Sequence, residues 1–352
     1  MIDLGFESCN SLFSLQAARI ARLQNLAKKA FPQCACKIQW IVMTSKATES
    51  ETLRHIKGIV GNFGLTMDQV FIFNQGEMPC FDLNGNFILS GKGEIAVAPN
   101  GNGGLYTAIK PYLNKFLSMG LQYFHVYCVD NILCRVADPH FIGFCIAKNA
   151  DCAAKAVEKT DPSEPVGVIC RVNGHVKVVE YSELDPDLAK MKISDGRLMF
   201  RAGNIANHFF TIEFLQRVCS EGCKLQFHRA LKKIPYVNDG GVVINPSKPN
   251  GIKLERFVFD VFQYSKNFYV WNVSRESEFS PLKNADTAEK DCLRTCRRDL
   301  NAEHHRWLQD AGAVIGDGGT VFIHPLISYA GEVFILLKLI LLYISFDLAA
   351  VK

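Results

Sequence analysis

The sequence has no strong charge of either sign. Its 39 Lys and Arg stand against 35 Asp and Glu, a net +4 spread evenly along 352 residues. That pattern argues against nucleic acid or an anionic membrane surface as a partner. A secretory leader is not evident at the start, and CxxC hooks at matching separations are missing. The 13 cysteines are scattered, several in apolar runs such as HVYCVD and FIGFCI. They read as reduced, mostly buried thiols of a cytoplasmic protein, not as a disulfide framework. The groupings Cys34/Cys36, Cys219/Cys223 and Cys292/Cys296 with His304 and His305 match structural zinc spacings only loosely. The last is read more simply as one helix, DCLRTCRRDLNAEHHRWLQDAG.

What is present is globular: 48% apolar and 21% charged residues, enough for one large or two moderate domains. Helix and strand patterns alternate. Phe13, Ala17, Ile20, Leu23 and Ala27 keep a helical period over residues 12 to 30. KIQWIVMTS (37 to 45), VFIFN (70 to 74) and LQYFHVYCVDN read as buried strands, with a helix around residues 49 to 57. CFDLNGNFILS and VICRVNGHVKVVEYSE place Asn-Gly between apolar arms, the strongest short hairpin signal. KLERFVFDVFQYSKNF reads as an amphipathic helix. The alternation favours an α/β chain: a mostly parallel sheet with helices on both faces and antiparallel hairpin insertions.

The chemistry concentrates in a few stretches. APNGNGGLYTAI packs three glycines into four positions, Gly101, Gly103 and Gly104. It is neither a P-loop nor a dinucleotide fingerprint, and it suits a plain loop opening a helix as well as a ligand cradle. HVYCVDN delivers Asp130 and Asn131 to a strand end, where ligands of α/β sheets bind. A carboxylate there can hold Mg²⁺ shared with phosphates, or cap the next turn. Lys253 and Lys283 lie in segments broken by turn formers. VVEYSE and AGNIANHFF put polar side chains into apolar strands, where protein or ligand must satisfy them.

In order, APNGNGGLY, FHVYCVDNIL, DPHFIGFCI, VVEKT…EPVGVICRVNG, VVEYSE, AGNIANHFF, KPNGIKLERFVFDVFQ and EFSPLKNAD closely resemble the eukaryotic UDP-N-acetylhexosamine pyrophosphorylases. The likeness runs from about residue 13 to 286 and returns at HPLISYAGE. It implies a Rossmann-like nucleotidyltransferase fold, with a mixed sheet, helices on both faces and antiparallel hairpin insertions. It also implies a uridylyltransfer reaction, UTP and N-acetylglucosamine 1-phosphate giving UDP-N-acetylglucosamine and pyrophosphate. By the same resemblance, Gln75 reads the uracil edge. Gly101 allows close approach to the uridine, and Asn102 hydrogen-bonds the substrate. Asp130 sits at the nucleotide and its Mg²⁺. Glu180 and Tyr181 grip the sugar, Asn204 faces its acetamido group, and Lys253 and Lys283 face phosphates. Asn100 stands where the family commonly has Asp.

The resemblance also brings departures. The family's glycine-rich loop LAGGxGTRLG and its Pro-Lys-Gly segment are not among residues 1 to 352, because DLGFESCNSLFSLQAARI matches the family's next segment. From Val333 the chain is uniformly apolar, interrupted by Lys338. The expected division is therefore a catalytic domain over 1–331 without its first strand and that loop, and an apolar tail over 332–352. On that division, residues 1 to 352 alone bind uridine nucleotides weakly and turn UTP over negligibly, whereas removing residues 333–352 leaves the chain more soluble and no less folded. A nucleotide-sugar-binding or regulatory module without activity stays open as the alternative, as does a membrane tether through the tail.

Overall fold

The computed structural model describes residues 2–220, 225–238, 240–316 and 319–335. The first helix, α1 (Leu12–Ala30), starts where Ser11 Oγ accepts from the Ser14 amide at 3.0 Å and ends with Lys28 and Lys29 in its last turn. Both features satisfy the helix ends, one by capping and one by the dipole. Its apolar face, including Phe13, Ala17 and Ile20, is buried with Trp40 and Val42 of β1 (Trp40–Thr44) and Ile56 of α2 (Glu49–Ile59). β2 (Val70–Asn74) pairs parallel with β1, Trp40 opposite Val70 and Thr44 opposite Asn74.

The remaining longer strands are β3 (Tyr123–Tyr127), β4 (Cys152–Glu158), β5 (Val168–Val172), β6 (His175–Val179), β7 (Ala202–Thr211), β8 (His228–Lys232), β9 (Gly251–Glu255) and β10 (Phe268–Val273). Six of them form one sheet in the order β6-β5-β7-β4-β10, with β3 also paired to β7. β5 and β6 are the expected hairpin, turned by Asn173 and Gly174 at φ 51° and 81°. Both positive φ values are what a two-residue Asn-Gly turn requires. Alternation along β4 sends Cys152, Ala154 and Ala156 to a layer with Phe210, Phe214 and Phe262. Ala153 goes to the opposite layer, under Phe141 and Cys145 of α3 (Pro139–Ala147). The sheet is thus covered on both faces and mixed. In one respect the expectation is corrected: only β4 with β10 is parallel within this sheet, and the other pairings are antiparallel.

A second correction concerns the amphipathic helix expected from Lys253. The apolar spacing is helical, yet Gly251–Glu255 is a strand paired with β8, and a 3-10 turn comes next at Asp260–Tyr264. Long-range bonds take the backbone first: the Arg256 amide donates to the Asn100 carbonyl and the Arg256 carbonyl accepts from the Gly103 amide, both at 2.8 Å. Neither group is left for an i to i−4 ladder.

Of the expected tail, residues 336–352 lie outside the described ones. Among the described residues no helix is long and apolar enough to cross a membrane. In the helix α4 (Leu293–Asp310), Cys296 Sγ donates to the Ser280 carbonyl, and His304 Nδ1 accepts from the Ile323 amide at 3.0 Å.

Candidate nucleotide-sugar site

The backbones around Asp130 and Lys283 lie side by side because two segments run antiparallel beyond β3. The Ile132 amide donates to the Ser280 carbonyl at 3.1 Å, and the Leu282 amide to the Asp130 carbonyl at 2.9 Å. Asn131, 4% exposed, staples the pair. Its Nδ2 donates to the Glu278 carbonyl at 2.7 Å, and its Oδ1 accepts from the Ser280 and Leu133 amides at 3.0 and 3.2 Å. Replacing Asn131 by Ala leaves three buried backbone groups unpaired at about 1–3 kcal/mol each, partly relieved by water. The expected loss in urea unfolding is about 2–4 kcal/mol. A loss below about 1 kcal/mol would show that the staple is dispensable.

Burial raises the Asp130 carboxyl above its ordinary range, and the Lys283 ammonium pulls it back in part. A half-buried carboxylate so incompletely compensated is a place for a further cation. Its partner Lys283 is exposed.

The glycine loop has a cause that the sequence alone did not reveal. Gly101 is at φ 87°, and a Cβ there would press on the Arg256 carbonyl and lie 2.8 Å from the Arg256 nitrogen. At Gly103 a Cβ would come within 2.7 Å of the Phe257 carbonyl oxygen, and at Gly104 it would overlap the Asn100 carboxamide. The glycines admit the protein's own backbone beyond β9. The turn is fastened by Asn102, whose Oδ1 accepts from the Val258 amide at 2.9 Å. That bond uses the acceptor of the Asn102 side chain and leaves its NH₂ to donate. Asn100 is 6% exposed and folded between Gly76 and Gly104.

Gln75 follows β2, its amide donating to the Thr44 carbonyl at 2.9 Å. Its Oε1 is buried and has no partner among the described residues. Across the site, Glu180 lies against Gly167, where a Cβ would come 2.8 Å from Glu180 Oε1. The Asn204 amide donates to the Gly167 carbonyl at 2.8 Å. Tyr181 is 52% exposed. Burial is the main cause raising the Glu180 carboxyl, with Glu183 adding and His228 and Lys283 opposing. The Lys283 charge is felt by both Glu180 and Asp130, so the three groups lie within electrostatic range of one another.

Lys253 stands apart, half-buried on β9 with Cys80 feeling its charge. Among the described residues no hydrogen bond or ion pair joins it to Asp130 or Lys283. Sequence reading missed His228, whose Nε2 lies 3.2 Å from Asp260 Oδ2 and whose Nδ1 lies 3.4 Å from Glu183 Oε1. An Asp inside the apolar run FVFD was the available signal.

The sequence profile of the family described as UTP--glucose-1-phosphate uridylyltransferase matches residues 6–332. The chain is 42% identical over 337 residues to the UDP-N-acetylglucosamine pyrophosphorylase of Saccharomyces cerevisiae, covering 94% of this chain and 70% of that one. The chain belongs to the UDP-N-acetylhexosamine pyrophosphorylase family. Its similarity to the UDP-N-acetylhexosamine pyrophosphorylase-like protein 1 of Xenopus tropicalis is 47% over 353 residues, covering 94% of this chain and 69% of that one. The fold superposes on the crystal structure of the uridine diphosphate N-acetylglucosamine pyrophosphorylase from Trypanosoma brucei with TM-score 0.82 at 32% identity, over 93% of this chain and 69% of that one.

Proposed function

We infer that the protein is a uridylyltransferase that joins UTP and N-acetylglucosamine 1-phosphate into UDP-N-acetylglucosamine and pyrophosphate. Membership of the family supports this, and so does the convergence of Asp130, Lys283 and Glu180 through one shared charge. A phosphate oxygen of the sugar 1-phosphate attacks the α-phosphorus of UTP. A new phosphorus–oxygen bond forms as the bond to the β-phosphate oxygen breaks, and pyrophosphate carries off the electron pair. No protein nucleophile is needed, so the chain's task is alignment and neutralisation of phosphate charge.

Each residue has a role in this reading. The orphaned Gln75 Oε1 accepts the uracil N–H. The Asn102 NH₂ donates to the nucleotide. Glu180 accepts from sugar hydroxyls and Tyr181 closes over the ring from the loop after it. Asn204 faces the N-acetyl group. Lys283 neutralises phosphate, with Lys253 approaching from the second sheet beyond the glycine turn. Asp130 suits Mg²⁺, which takes one or two carboxylates and completes its shell with substrate phosphates and water; when bound it supplies Lewis-acid neutralisation of the triphosphate. A cytoplasmic location fits the free thiols, many of them buried and raised by that burial.

The test is an assay of pyrophosphate and UDP-sugar together. Equimolar products with N-acetylglucosamine 1-phosphate, and slower turnover of glucose 1-phosphate, are expected; pyrophosphate without UDP-sugar would refute the reading. Glu180 also confers a pH dependence. Only its ionised form accepts two sugar hydroxyls, and its pKa is raised. The KM for sugar phosphate should therefore climb with acidification at a pH above the ordinary glutamate range. In Glu180→Gln that component should vanish, while the substrate's own titration remains common to both. Identical profiles would remove Glu180 from the sugar site.

A further inference from the structure

We propose that His208 is a positioning residue that turns the Asn204 carboxamide so its NH₂ faces the bound sugar, and so sets the preference for an N-acetylated substrate. The inference rests on the function proposed above and on hydrogen-bond accounting within β7.

Asn204 and His208 are four residues apart on one strand, a separation of about 13 Å at ordinary strand rise. Their side chains nevertheless touch: His208 Nε2 lies 3.1 Å from Asn204 Oδ1. A bulge makes this possible. Asn204 opposes Ala156 and His208 opposes Ala154, so three residues of β4 face five of β7. Within the bulge Ala206 is held at φ 50°, a left-handed conformation that residues with a Cβ rarely adopt. Strained residues of this kind persist where the surroundings over-determine them, and they cluster at ligand sites.

The same bulge fixes which way the amide points. The Ala206 backbone N–H meets Asn204 Oδ1 at 3.2 Å, and a backbone N–H can only donate. The atom it meets is therefore the carbonyl oxygen. His208 Nε2 faces that same oxygen and must carry the proton. The ring is neutral, because full burial pushes its pKa down to about 3. Its other nitrogen, Nδ1, is buried without a partner, and the ring packs edge-to-face with Phe262 at 4.9 Å. Both donors directed at Asn204 thus occupy its acceptor. What remains for a ligand is the NH₂, which suits the carbonyl oxygen of an N-acetyl group.

The experiment is calorimetric titration of the protein and its variants with UDP, UDP-N-acetylglucosamine and UDP-glucose. His208→Leu removes one of the two donors that hold the carboxamide and leaves only the Ala206 N–H on its oxygen. It should weaken UDP-N-acetylglucosamine binding about tenfold, the scale of one hydrogen bond. UDP-glucose binding should stay within about twofold of the parent. His208→Gln keeps an N–H donor and should recover part of the loss. Asn204→Asp, which preserves shape and leaves His208 in place, replaces the NH₂ by an acceptor. It should lose N-acetyl selectivity even if His208→Leu does not fold. Equal weakening of both UDP-sugars in His208→Leu, no change in either, or full UDP-N-acetylglucosamine affinity in Asn204→Asp overturns the proposal. Failure of UDP itself to bind would instead overturn the uridylyltransferase reading on which it stands.

Discussion

Replacing Lys283 by alanine is expected to lower kcat/KM roughly 30- to 1,000-fold, the equivalent of about 2–4 kcal/mol of transition-state stabilisation. Two backbone bonds lay residues 280–282 along residues 130–132. They bring an exposed ammonium beside a carboxylate that burial has raised. As pyrophosphate leaves, negative charge moves toward the bridging oxygen, and a fixed cation nearby lowers that barrier more than it tightens the ground state. Because Lys283 is exposed, its loss should barely touch folding. Unfolding in urea and activity on the same preparation separate the two effects. A change in kcat/KM below about threefold would take Lys283 out of the reaction.

Gly101→Ala is expected to be the most damaging single methyl group in the chain. The positive φ costs an L-residue about 1–2 kcal/mol, and a clash with backbone adds about 1–3 kcal/mol more. Here the obstacle is the Arg256 backbone, which cannot swing aside without breaking its bonds to Asn100 and Gly103. Stability should fall by about 2–5 kcal/mol, or the turn should move and uridine binding fail with stability partly kept. Gly58, inside α2 with nothing within 4 Å of its would-be Cβ, is the control. Gly58→Ala should gain up to about 1 kcal/mol. If Gly101→Ala matches wild type in both stability and uridine binding, the turn is not clamped as described.

Lys283 and Gly101 mark where the sequence was legible and where it was not. Period and turn chemistry are local, so α1, β2 and the Asn173–Gly174 hairpin appear with the bounds the residues suggest. The glycines of residues 101 to 104 announce a close approach, but what approaches Gly101 and Gly103 is Arg256 and Phe257, more than 150 residues on. No local pattern carries that. The same distance defeats the helix reading after Lys253, where apolar spacing of helical period is overridden by pairing to β8 and to the loop at Asn100. Asp130 and Asn204 were readable as polar residues in apolar strands. His208 belongs to the same polar-bearing stretch as Asn204, but its pairing was not readable, because its bond to Asn204 exists only through the bulge at Ala206.

One site, built from Gln75, Asn102, Asp130, Glu180, Asn204 and Lys283, is expected to hold the nucleotide sugar. A crystal structure with UDP-N-acetylglucosamine and Mg²⁺ tests it most directly. The account predicts the uracil N–H on Gln75 Oε1, the N-acetyl carbonyl on the Asn204 NH₂, and the diphosphate between Asp130 and Lys283. A nucleotide sugar seated elsewhere, for instance in the cavity of about 390 Å³ lined by Lys110, Thr107 and Arg256, would sink that assignment.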